Sequence, residues 1–160
     1  MYNLQYNNLN NHISLYDYFF YKKEILCQNQ TYQNFCQICN RLCDSKFSSK
    51  IFLSPNILII IIEREKYSKT PIKLDFTETI DITEFVLQKE VSKLIYNLYA
   101  VITSINYGNS NNLVASCKNS IDNKWYRYDD EKVYPINNLE KEVIEFGTPQ
   151  ALFYEKINLK

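Results

Sequence analysis

Residues 96–130 read YNLYAVITSINYGNSNNLVASCKNSIDNKWYRYDD: an apolar stretch, a polar tip, a second apolar stretch, a polar turn and an aromatic third stretch. Side chains along a strand alternate between faces. The alternation in Asn97-Leu98-Tyr99-Ala100-Val101-Ile102 and in Lys124-Trp125-Tyr126-Arg127-Tyr128-Asp129 therefore predicts half-buried antiparallel strands, with Trp125 on the packed face. Residues 57–62, β-branched and placed after Pro55, predict a fully buried strand. This run is far shorter than the roughly 20 residues of a membrane helix. Fourteen Tyr and nine Phe against two Gly favour aromatic-rich β structure over glycine-dependent nucleotide loops.

The remainder of the chain fits a single domain. Its 160 residues are 46% hydrophobic, enough for a core and too apolar for disorder. Residues 1–13 are Asn-rich and expected to be poorly ordered, leaving 14–160 as the domain. Ser14 is placed to cap a helix over 15–23, with Leu15, Tyr18 and Phe19 on one face. A short helix is expected within 84–95, and 139–146 is amphipathic. No repeat, Pro/Gly linker or second domain is evident. Eighteen basic and eighteen acidic residues, without a long run of either, give a polyanion no electrostatic support, so neither nucleic acid nor membrane is expected as a direct partner. The first twenty residues lack a basic start followed by an apolar run, and four of five cysteines crowd into 27–43. Together these predict a reducing compartment, cytoplasmic or nuclear.

Several motifs, in order, resemble the ubiquitin-specific proteases. Ser14-Leu15-Tyr16-Asp17-Tyr18-Phe19, then Glu24-Ile25-Leu26, then Cys36-Gln37-Ile38-Cys39 follow that family's short helix, its Glu-x-Leu and its Cys-x-x-Cys. Pro55 and the apolar run ending at Arg64 are similar to its Leu-Pro-x-x-Leu strand, with Ser54 in place of Leu. Lys73 to Ile82 is similar to its Val-x-Phe-Pro-x-x-Leu-Asp-Leu segment, with Thr77 in place of Pro. YNLYAVI at 96–102, WYRYDD at 125–130 and Leu152-Phe153-Tyr154-Glu155 complete the set. The resemblance runs from about Ser14 to the end and implies an α+β fold. Its main part is the antiparallel sheet of the palm with part of the fingers, and the Cys-bearing helical thumb is missing.

The resemblance places the family's catalytic histidine at position 112, where this chain has Asn112, and its orienting aspartate at Asp129, followed by Asp130. An asparagine cannot act as a base near neutral pH. The family's Asn-x-x-Cys nucleophile box has no equivalent beyond Asn40-Arg41-Leu42-Cys43-Asp44, and the single histidine is His12. Without an imidazole to orient, Asp129 and Asp130 read as turn carboxylates, and Cys117 as a buried small hydrophobe. No catalytic set is intact. The leading expectation is an inactive ubiquitin-specific-protease-like scaffold subunit, held by protein partners that cover the thumb face and retaining a ubiquitin-binding surface. Two alternatives stand beside it: a deubiquitinase active only with a Cys-bearing partner half, and a purely structural protein.

No cofactor is expected apart from zinc. Cys36 and Cys39 have knuckle spacing, and Cys27 and Cys43 would complete four thiolates; the alternative is a decayed finger with reduced thiols. Tyr126, Tyr128 and Tyr134 read as a strand-packing stripe in preference to a base-stacking platform.

Overall fold

The computed structural model describes residues 12–16, 32–45, 51–62, 73–87, 93–106 and 111–157, and the account below concerns these. Their strands are β1 (His12–Ser14), β2 (Tyr32–Cys36), β3 (Arg41–Ser45), β4 (Ile57–Ile61), β5 (Lys73–Asp75) and β6 (Thr79–Asp81). They continue with β7 (Ile95–Asn106), β8 (Asn111–Lys118), β9 (Trp125–Asp129), β10 (Lys132–Ile136) and β11 (Thr148–Lys156). Six of them run in the order β10-β9-β8-β7-β11-β4, with β6 added beside the start of β7, and every pairing in this sheet is antiparallel. β1 and β5 form a separate parallel pair, and β2 and β3 a separate hairpin. The few helical pieces described are short, so the α+β, mainly antiparallel expectation holds.

Residues opposite one another across a ladder share a face. One row reads Ile60, Leu152, Val101, Ser116, Arg127, and the next outward row on the other face reads Ile59, Phe153, Ala100, Cys117, Tyr126. The first face is the buried one. Leu152, Val101 and Tyr154 meet Leu15, Leu74, Phe76, Ile80, Ile82, Phe85 and Leu94 there, which arrive from the chain between β5 and β7 and from the start of the domain. Tyr154 donates its hydroxyl to the Thr77 carbonyl at 2.8 Å, and burial pushes its phenol well above the usual tyrosine range. Tyr96 donates to the Pro55 carbonyl. Both bonds satisfy a polar tip inside an otherwise apolar layer.

Several sequence expectations are corrected. Residues 57–62 are not fully buried: among the described residues β4 is an edge strand, on which Ile57, Ile59 and Ile61 are exposed and Ile60 is buried. A helix does not occupy the described part of 84–95. A single 3-10 turn (Thr83–Phe85) is followed by Val86, which bridges to Ile51, and β7 has begun by Ile95. Distant pairings stitch this segment instead: the Leu94 N–H donates to Thr83 Oγ1 (2.8 Å) and the Ile82 N–H to the Leu94 carbonyl (3.0 Å). Tyr134 does not join the stripe of Tyr126 and Tyr128. It lies opposite Arg127, on the other face, and is exposed. Cys117 is half-buried on the outer face, where burial pushes its thiol up. Leu15 and Tyr16 are helical, as the cap at Ser14 predicts, while 17–31, including Cys27, and 1–11 lie outside the described residues.

Candidate functional site

Asn112 and Asp129 come together through register. Ala115 lies opposite Tyr128, which brings Val114 level with Asp129. Asn112 is two residues from Val114 and therefore on the same face as Asp129, a diagonal neighbour on the adjacent strand. On its other side Asn112 lies opposite Ile105 of β7. Asn112 is exposed at the rim while Val114 and Ser116 behind it are buried, so the pair sits where the inner face opens to solvent. Asp130 is the first residue of the two-residue turn joining β9 to β10, with φ +51°, a left-handed conformation that Asp tolerates better than most residues. Asn112 and Asp129 thus share a face on adjacent strands, and Asp130 is a turn residue.

Behind this rim the support is Arg127, whose role the sequence did not announce. Its guanidinium stacks on Phe146 at 3.5 Å from the ring centroid and donates to the Glu142 carbonyl. That ties β9 to the π-helical turn Glu140–Ile144. The turn is capped reciprocally: Glu142 Oε1 accepts the N–H groups of Asn137 (3.1 Å) and Asn138 (2.8 Å), and Asn138 Oδ1 accepts the Lys141 N–H (3.0 Å). Asp122, also unannounced, closes the β8–β9 connection. It accepts the Tyr126 hydroxyl (2.7 Å) and the Lys124 N–H (3.0 Å), and the Tyr126 hydroxyl is the main reason its carboxyl falls below the usual range. Trp125 is half-buried and packs against the core, as its place beside Arg127 on the inner face requires.

A second cluster lies on the β2–β3 hairpin. Its turn returns through Asn40 at φ +53°, and it brings Cys36, Cys39 and Cys43 together, their sulfurs within 4.8 Å of one another. The Cys39 and Cys43 sulfurs are 3.2 Å apart. Backbone N–H groups, that of Cys39 foremost, push the Cys36 thiol down, while hydrogen bonding to Cys43 pushes the Cys39 thiol up. Four thiolates around zinc, each about 2.3 Å from the metal, stand roughly 3.8 Å apart, and the three sulfurs lie close enough together for such a site. They supply three corners of such a site. Phe35, Ile38 and Leu42 stand exposed on the same hairpin.

His12 opens β1 opposite Lys73 of β5, outside the large sheet. Among the described residues no helix is long and apolar enough to cross a membrane.

Solved structures with a similar fold include two of one multi-subunit module. One is the SAGA Ubp8/Sgf11/Sus1/Sgf73 DUB module bound to ubiquitin aldehyde, with TM-score 0.69 at 18% identity over 93% of this chain and 35% of the matched one. The other is the same module, carrying a singly substituted Ubp8 and bound to monoubiquitin, with TM-score 0.68 at 19% identity over 96% of this chain and 36% of the matched one. Curated relatives include ubiquitin carboxyl-terminal hydrolase 5 of Arabidopsis thaliana, 27% identical over 76% of this chain and 14% of the relative. Ubiquitin carboxyl-terminal hydrolase 12 of Saccharomyces cerevisiae is 31% identical over 84% of this chain and 11% of the relative. The chain thus spans only a small part of the curated relatives it matches. The sequence model of the ubiquitin carboxyl-terminal hydrolases matches residues 4–154, in keeping with the mainly antiparallel sheet, and the chain belongs to that family.

Proposed function

We propose that this chain is a catalytically silent deubiquitinase-like domain that binds ubiquitin within a larger protein assembly. The observation that carries the reading is Asn112 beside Asp129. A carboxamide neither takes a proton from a thiol nor returns one to a leaving amine, so the aspartate has no base to orient. The only imidazole in the sequence, His12, belongs to the β1–β5 pair. Ubiquitin binding and protein partners are supported by the solved relatives, which are multi-subunit modules with ubiquitin or its aldehyde bound. On this reading a protein partner covers apolar surface of the sheet, and the assembly is cytoplasmic or nuclear. Cys36, Cys39 and Cys43 would hold zinc, with Cys27 as the proposed fourth ligand. The ion would supply a structural cross-link and no chemistry.

The test pairs activity with binding. The reduced, zinc-supplemented chain is given a fluorogenic ubiquitin amide and a ubiquitin-based electrophile, and free ubiquitin is titrated separately by NMR. The expected result is no turnover, no labelling and saturable shifts on ubiquitin. Labelling abolished by mutating one cysteine would sink the silent assignment. Unshifted ubiquitin resonances would sink ubiquitin binding. For the metal, cobalt(II) should give thiolate charge-transfer absorption that Cys39→Ser removes.

A further inference from the structure

Among the described residues β4 is an edge strand of the large sheet with no strand beyond it. Along it the Ile62 N–H donates to the Gln150 carbonyl (2.9 Å) and the Lys156 N–H to the Asn56 carbonyl (2.8 Å), so the even-numbered residues of this stretch face β11. In an antiparallel strand both backbone groups of a residue point one way and those of the next residue the other way. Ile57, Ile59 and Ile61 therefore aim their N–H and C=O groups away from β11, and among the described residues no strand receives them. Their side chains are also open, at 40%, 53% and 69% exposure, whereas Ile60 between them is 7% exposed. Donors, acceptors and apolar side chains are thus presented together, with no charge in the strand.

The opposite edge is built differently. β10 carries Lys132 and Pro135, a charge and a residue without an N–H, two common means of blunting an edge. β4 carries neither.

We propose that β4 pairs antiparallel with β4 of a second copy of this chain, about a two-fold axis through Ile59, joining the two sheets into one. The geometry fits a second copy, and the absence of charge from the strand makes it compatible with itself. Outward groups recur at every second residue, so a two-fold at Ile59 sets Ile59 opposite Ile59 and Ile57 opposite Ile61 of the other copy. Each of these pairs then exchanges both hydrogen bonds. Like meets like without repulsion because the strand is uncharged, and a charged strand would find no counter-ion on it. The arrangement closes on itself, since each outer edge is then a blunted β10. This inference does not rest on the ubiquitin reading, and its test uses no ubiquitin.

The experiment is sedimentation equilibrium of the full reduced chain at tens of micromolar, with amide exchange read in parallel. The expected wild type is a dimer in which the amides of Ile57, Ile59 and Ile61 exchange about tenfold or more slower than in a dilute monomeric sample. Ile59→Lys and Ile59→Glu should each be monomeric with an unchanged circular dichroism spectrum, because the side chain is half-exposed. Mixing the two should restore a dimer, since opposite charges then face one another. A monomeric wild type, an Ile59→Lys protein that dimerises like wild type, or a Lys/Glu mixture that stays monomeric would each overturn the proposal. If neither variant folds, exchange decides: wild-type amides at 57, 59 and 61 that are indifferent to concentration overturn it, and concentration-dependent protection supports it.

Discussion

Replacing Gly147 by alanine should destabilise the domain by about 2–5 kcal/mol, summed from a backbone and a packing cost. Gly147 follows the capped turn and precedes β11 with φ +64°, where an L side chain costs about 1–2 kcal/mol. A Cβ built there would lie 2.6 Å from Thr103 Cγ2 and 2.9 Å from the Ser104 carbonyl oxygen. Thr103 is only 1% exposed and Ser104 contributes backbone, so neither yields easily. Overpacking of this kind adds about 1–3 kcal/mol. Urea unfolding followed by tryptophan fluorescence gives the loss as a shift in midpoint at constant slope. Thr103→Ser removes the nearer clashing methyl and keeps the hydroxyl, so the double variant should recover about 1 kcal/mol relative to additivity. A loss for Gly147→Ala below about 0.5 kcal/mol, the size of an ordinary surface change, would refute the steric argument. Strict additivity would leave only the backbone part of it.

Three further outcomes follow from the same contacts. Trp125→Ala should cost about 2–3 kcal/mol in urea unfolding, less than a fully buried tryptophan because the ring is half-buried. Tyr154→Phe should cost about 1–2 kcal/mol through the bond lost to the Thr77 carbonyl. Because burial raises the folded phenol's pKa, wild-type stability is full below the unfolded tyrosine value of about 10 and falls as pH rises beyond it. Tyr154→Phe should flatten that alkaline fall, which unfolding curves on either side of that pH will show. Ser116 Oγ is buried without a partner, so Ser116→Ala should stabilise by about 1 kcal/mol; an equal loss would mean the hydroxyl is satisfied by water.

What the sequence disclosed follows from how local each signal is. The strands at 97–102 and 124–129 alternate strongly and appear as β7 and β9. The run at 57–62 has no alternation to read: isoleucine stands on both faces, so nothing in it marks an edge with one side bare. A short helix is expected within 84–95, yet Val86 is claimed by Ile51 and Leu94 by Thr83, partners that lie outside that segment. That positions 112 and 129 share a face of adjacent strands follows from the spacing across the hairpin, which fixes register. The role of Arg127 was not legible, because Glu142 and Phe146 reach it from another part of the chain.

The partner of β4 has a consequence for synthesis. Ile61 is paired with Ala151 and Ile57 with Glu155, so the isoleucine run leaves the ribosome long before the strand that receives it. At roughly 5–20 residues per second that wait lasts about 5–20 s. The β2–β3 hairpin closes over a few residues and has no such delay. During the interval β4 offers two bare backbone edges instead of one, and a neighbouring nascent chain presents the same strand at the same moment. Whether β11 arrives first thus decides between folding and misassembly, and this places the chain's greatest exposure to misassembly in its slowest-made described pairing.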